Sequence, residues 1–169
     1  MPFTPFHLGP ALFFGMIFFR YLHFPTFLLA NVIIDIEPFL VMFLNLDYPL
    51  HGFLHTFIGG TIIAFPFALI MNKIKGKINP LLKLFKVEQK SSFKSVLVAA
   101  LSGIYIHILL DSRMHLDIRP FFPFDLNPFL SRDMFVGFEI YTLCIWMFIG
   151  GVILYFMKLL LFKRKKSNS

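Results

Sequence analysis

Apolar residues in this chain come in long blocks, not in the short periodic stripes that mark a water-soluble core. The last block, MFVGFEIYTLCIWMFIGGVILYFMKLLLF at 134–162, exceeds the roughly 20 residues with which a helix crosses a bilayer. FLHTFIGGTIIAFPFALIM at 53–71 and VLVAALSGIYIHILL at 96–110 predict two further spans, the second short enough to bring its polar end inside the membrane boundary. Towards the N-terminus the pattern is shorter and interrupted. A short helix is expected near 8–22, and the next, within FPTFLLANVIIDIEPFLVMFLNL, is expected to break at Asp35 to Pro38. Pro38 has no N–H to donate, and it pushes Glu37 out of helical geometry. Asp35 then falls in the last turn before the break. The fold expected is all-α: a polytopic membrane helical bundle of about four to five transmembrane segments, one domain over 1–162 with a basic tail at 163–169. Whether 8–22 spans the membrane or is re-entrant stays open.

Composition agrees with the pattern. Mean hydropathy is +0.76 and 15% of the residues are charged, against about a quarter in soluble domains. MPFTPFHLGP carries no Lys or Arg ahead of Arg20, so the basic n-region of a cleavable signal peptide is missing and the N-terminus is expected to be retained. Cys144 is the only cysteine, which excludes an intramolecular disulfide and a cysteine-based zinc knuckle. Any metal must be held by histidine and carboxylate.

The net charge of +7 matters less than its distribution. The segment 72–94 holds seven lysines and one glutamate, and the tail holds four more basic residues. The positive-inside rule places the first as a cytoplasmic loop and the second as a cytoplasmic tail. Loop 112–133 then lies on the non-cytoplasmic side of the cell membrane, as does His7 if both early segments traverse. Topology accounts for the lysines, so no nucleic-acid partner is expected. Membrane lipid is expected as substrate or annulus, and a homo-oligomer stays open.

The polar residues that remain form a pattern. His51 and His55 lie at i and i+4 at the start of one span, and His107 and Asp111 at i and i+4 at the end of another. Residues four apart share a helix face, and His115 joins the second face if that helix runs on. With His7 and Asp35 these groups predict a cup at one membrane face, of a donor type suited to zinc or a similar divalent ion. His23, beside Arg20, and Glu139 read as boundary residues. Asp117, Asp125 and Asp133 with Arg113, Arg119 and Arg132 read as a balanced loop whose Pro- and Phe-rich tip, RPFFPFDLNPF, forms a stiff flap on the interface.

FHLGPAL, NVIIDIEPF, HGFLHTFIGG and HILLDSRMHLDIRPFFPF resemble the successive motifs of the YdjM-like membrane-bound metal-dependent hydrolases, a family held to be distantly related to zinc-dependent phospholipase C. The resemblance covers nearly all of the chain outside the lysine segment and tail. It implies that His7, Asp35, His55, His107 and Asp111 are metal ligands. Val or Ile stands where the family's Pro precedes Asp35, Glu37 replaces a second Asp, and His51 and Leu50 depart from a His-Arg pair. A further His and a His-x-x-x-Glu of the soluble phospholipases have no counterpart, which implies one or two ions.

Two functions follow as expectations. The first is a membrane-bound metal-dependent hydrolase of phosphate esters in a lipid or amphipathic substrate. In it Asp35 acts as ligand or base, His51 and His115 orient ligands or protonate the leaving group, and Arg113 or Arg119 clamps the phosphate. The second is a divalent metal transporter or sensor, which would require polar residues to continue towards the cytoplasmic face. A scaffold anchored through its lysines leaves the His/Asp cup without a purpose.

Overall fold

The computed structural model describes residues 4–167, and among these it contains helices and turns but no strand. The helices are α1 (Leu8–Ile17), α2 (Phe24–Ala30), α3 (Ile36–Phe43), α4 (Phe57–Leu84), α5 (Phe93–Ser112) and α6 (Val136–Ser167). Four stretches are long and apolar enough to cross a membrane: Phe24–Phe43, Phe57–Leu84, Phe93–Ser112 and Val136–Leu161. The ten residues of α1 reach about 15 Å at 1.5 Å per residue, half of a hydrocarbon core of about 30 Å.

Helix α5 is the central post, with α4 on one side and α2 on the other, while α1 packs along α6. The core between α2, α4 and α5 is Ala30, Ile34, Ala64, Ala68, Met71, Val96, Ala100, Ile104 and Ile108. The outer face of α6 leaves Trp146, Phe148, Ile153, Phe156 and Leu160 exposed, as a lipid-facing surface requires. Gln89 ties the α1–α2 turn to the α4–α5 connection: its amide donates to the carbonyls of Phe19 and Leu22, and its oxygen accepts from Phe24 N–H.

Two expectations change. The lysine segment is not a loop throughout, since α4 continues to Leu84; lysine is a good helix former, and its long stem lets the ammonium reach water from the end of a span. The break in the second apolar block lies upstream of Asp35 to Pro38. Helix α2 ends at Ala30, a 3₁₀ turn covers Ile33–Asp35, and α3 starts at Ile36. Pro38 sits in the first turn of α3, where its missing N–H would have had no partner in any case. Asp35 is thus the residue before a helix, not the last turn of one, and its carboxylate meets His107 of α5.

Candidate metal centre

Four segments deliver side chains to one end of the bundle. His107 and Asp111 come from the last turns of α5, Asp35 from the 3₁₀ turn ahead of α3, His55 from a 3₁₀ turn, Phe53–His55, and His7 from the turn that opens α1. His55, His107 and Asp111 are fully buried, and His7 is 1% exposed. Asp35 Oδ1 lies 3.2 Å from His107 Nε2 and 3.9 Å from His55 Nε2. Asp111 Oδ2 lies 3.2 Å from His107 Nε2, and Asp111 Oδ1 lies 3.1 Å from His7 Nε2. Donor atoms of Asp35, His55, His107 and Asp111 all fall within 4.8 Å of one another. His7 adjoins this group through Asp111 and stacks on His107 at 3.8 Å between ring centroids.

The ring nitrogens divide their work. His107 Nδ1 donates to the Asn31 carbonyl at 2.7 Å, and His55 Nδ1 donates to Glu37 Oε2 at 2.8 Å. Each bond fixes the tautomer and turns Nε2, with its lone pair, inward. His55 Nε2, His107 Nε2 and both Asp111 oxygens are buried without a well-aligned hydrogen bond, their nearest polar neighbours being one another, Asp35 and His7. Buried polar atoms left in this way cost free energy unless something pairs with them. Two donors about 2.0–2.1 Å from one zinc ion at tetrahedral angles stand roughly 3.3 Å apart, close to the spacings seen here. The four residues therefore fit a divalent ion by donor type and spacing.

Glu37 is the residue that sequence reasoning passed over as a participant. Besides His55 it accepts from Gly52 N–H at 3.1 Å and Leu54 N–H at 3.0 Å, so one carboxylate organises the loop that carries two histidines. Its signal was present in DIEP, an acid that opens a helix next to a candidate ligand. Asn31 acts through its backbone carbonyl, which leaves no mark in a sequence.

His51 and His115 do not join this group. Residues 51–56 form a bend and a 3₁₀ turn before α4 begins, so His51 and His55 share no helix face. Helix α5 ends at Ser112, and the N–H groups of Met114 and His115 fold back on the Asp111 carbonyl, both at 2.9 Å. His115 is thereby turned towards His51, with ring centroids 4.2 Å apart. Asp117, taken from the sequence as a loop residue, completes a second cluster, in which donor atoms of His51, His115 and Asp117 lie within 4.8 Å of one another. Burial, then His55, lowers the pKa of His51; burial, then His51, lowers that of His115 to about 4. Both imidazoles are neutral at pH 7. Burial would raise the Asp117 carboxyl, but the backbone N–H and the ring of His51 outweigh it and hold it below its ordinary value.

A cavity of about 540 Å³ opens against this second cluster, lined by the polar residues His51, Asp117, Arg119 and Asp125 together with Phe53, Leu116 and Phe122. The aromatic flap folds over the start of α4: Phe121 packs on Phe57, and Phe122 lies edge-on to Phe53. Arg119 lines the cavity with Nε 3.1 Å from Asp125. Arg113 does not line it, and its guanidinium faces Glu139 at 3.9 Å on an exposed surface. At the other end of the bundle Arg20, Lys90 and Lys94 border a separate cavity. The chain matches no known protein family, no curated protein and no solved structure, so function must be argued from the site itself.

Proposed function

We propose that the protein is a membrane-bound metal-dependent hydrolase of phosphate esters in a lipid or amphipathic substrate, in line with its resemblance to the YdjM-like family. The observation that carries this reading is the convergence of donor atoms from Asp35, His55, His107 and Asp111, all within 4.8 Å of one another, near a cavity lined by both polar and apolar side chains. Those four residues would hold the ion, zinc being the best match to two imidazoles and two carboxylates. A divalent ion supplies Lewis acidity and lowers the pKa of bound water from 15.7 to about 7. His7 steadies Asp111, Glu37 and Asn31 aim the imidazoles, and Arg119 offers the phosphate a cation at the cavity wall. Phe53, Leu116 and Phe122 give the apolar part of the substrate a dry surface. With the basic end of the bundle in the cytoplasm, the site faces the non-cytoplasmic side.

A transporter would need polar groups to continue from the site through the bundle. The intervening core is Ile34, Ala64, Ala68, Met71, Val96, Ala100 and Ile104, which favours the hydrolase. The test uses purified protein in lipid nanodiscs. Single substitutions Asp35→Asn, His55→Ala, His107→Ala and Asp111→Asn are expected to remove the buried ion, and the wild type to cleave a lipid phosphodiester or monoester in a chelator-sensitive way. Retention of a full complement of metal in all four variants would refute the site. Metal flux into proteoliposomes that depends on these residues would replace hydrolysis with transport.

A further inference from the structure

The two His/Asp clusters differ in how they meet the outside. The inner one draws four donors from the protein, three of them buried, with Asp35, at 13% side-chain exposure, its most open member. The outer one has three, and its Asp117 side chain is 38% exposed where the cavity begins. Four protein donors leave an ion little free coordination for substrate, whereas three ligands and one open position mark the zinc that meets substrate directly. Formal charge separates the clusters in the same sense. Two carboxylates and neutral imidazoles around a divalent ion sum to zero in the inner cluster. One carboxylate and two neutral imidazoles leave an outer divalent ion with a net positive charge that attracts an anionic oxygen.

From these differences we infer that His51, His115 and Asp117 form a second divalent-cation site, open to the cavity, whose vacant position takes an oxygen of the phosphate group. This inference rests on the hydrolase reading and gives it a substrate-facing metal. The trio is preset by its surroundings: the His51 N–H donates to Asp117 Oδ2 at 3.1 Å, which fixes the loop of His51 against the segment after α5. His51 and His55 meet edge to face at 4.8 Å, so the two clusters adjoin through neighbouring rings. A His51–Asp117 pair that only staples two loops would account for two of the residues. It gives no role to His115, whose buried Nε2 has no hydrogen-bond partner.

His115 is therefore the discriminating position. Protein in nanodiscs is loaded with Co²⁺ and dialysed, the bound ions are counted by mass spectrometry, and the visible spectrum and melting temperature are recorded. The wild type is expected to hold two ions, His115→Gln and Asp117→Asn one each, and Asp111→Asn also one, with melting of the metal-free His115→Gln protein unchanged. Inorganic phosphate is expected to shift the cobalt spectrum of the wild type and to leave that of His115→Gln unaltered. A single ion in the wild type, lost in Asp111→Asn and kept in His115→Gln and Asp117→Asn, overturns the second site and leaves the inner one standing. Two ions that persist in His115→Gln and Asp117→Asn overturn it as well, as does an equal phosphate shift in His115→Gln and wild type. A wild-type ion count that no variant reduces, Asp111→Asn included, overturns both sites together.

Discussion

Glu37→Gln is the sharpest probe of how the inner site is held, because it keeps the shape of the side chain and changes only its donors and charge. In the folded protein Oε1 accepts from Leu54 N–H, while Oε2 accepts from Gly52 N–H and His55 Nδ1–H. Glutamine offers one acceptor oxygen. If that oxygen takes the Oε2 position, the new NH₂ faces Leu54 N–H, donor against donor; in the reverse orientation both Gly52 and His55 lose their acceptor. At least one N–H in a largely buried position is left unmet, at about 1–3 kcal/mol. His55 also loses the carboxylate that sets its tautomer and basicity. Loss of such a partner typically weakens a metal site about 10- to 100-fold, or about 1.4–2.7 kcal/mol. Competition between the protein in nanodiscs and a chelator of known affinity measures this directly, with thermal melting of the metal-free protein followed in parallel. Metal affinity within about threefold of wild type, together with lowered stability, would show that Glu37 is only a loop staple and that Nε2 of His55 holds no ion.

Other perturbations test the frame around the site. A Cβ at Gly103 would stand 2.6 Å from Ala30 Cβ and 3.0 Å from the Phe27 carbonyl, atoms that cannot swing away. Gly103→Ala should therefore lower stability by about 1–3 kcal/mol and weaken metal binding, because α2 must move with the Asn31 carbonyl that His107 uses; an unchanged melting curve would contradict the close packing of α2 on α5. Thr56 caps α4 by accepting from Gly59 N–H at 2.9 Å, so Thr56→Ala should cost about 1 kcal/mol, read from the same melts, and leave the ion count intact. Burial, then Lys75, lowers the pKa of His23 to about 4. A folded-state pKa below the unfolded value keeps its stabilisation above pH 6.5 and loses it as the pH falls towards 4. The melting temperature should drop through that window, and His23→Gln should flatten the drop.

Length and apolar content revealed the bundle in the sequence because both are summed over many residues. The three later spans appear where the blocks place them, with boundaries shifted by a few residues except at the end of α4, which runs on past 71 to Leu84. The local path of the chain around Pro38 was not legible, since a proline that breaks a helix and a proline that starts one differ only in what precedes them. That difference lies in the turn at Asn31 and Val32, whose side chains give no warning. The inner donors were found because each pair of ligands, or each isolated acid in an apolar block, is costly there without a purpose. The grouping of His51, His115 and Asp117 was not legible for the opposite reason. Asp117 lies among other charges in a polar loop, and only the backbone reversal after Ser112, which folds His115 back towards His51, brings the three side chains together.

Small residues convert the bundle into a site. Helices in a membrane gain little from apolar burial against one another and associate through close van der Waals packing, which small side chains permit. Gly60 and Ala64 of α4 face Ile104 and Ile108 of α5, and Gly103 sits against Ala30 of α2. A Cβ at Gly9 would fall 2.1 Å from the Cys144 carbonyl, so α1 reaches α6 through bare backbone. These contacts set the separations of the helix axes, and the axes set the distances among His7, Asp35, His55, His107 and Asp111. A larger residue at any of them would spread the donors by an ångström or more, a loss that no rotamer of a buried histidine recovers. The stripe of glycine and alanine and the cluster of histidine and aspartate are thus one device, in which packing brings five ionisable side chains to a spacing that could hold a cation.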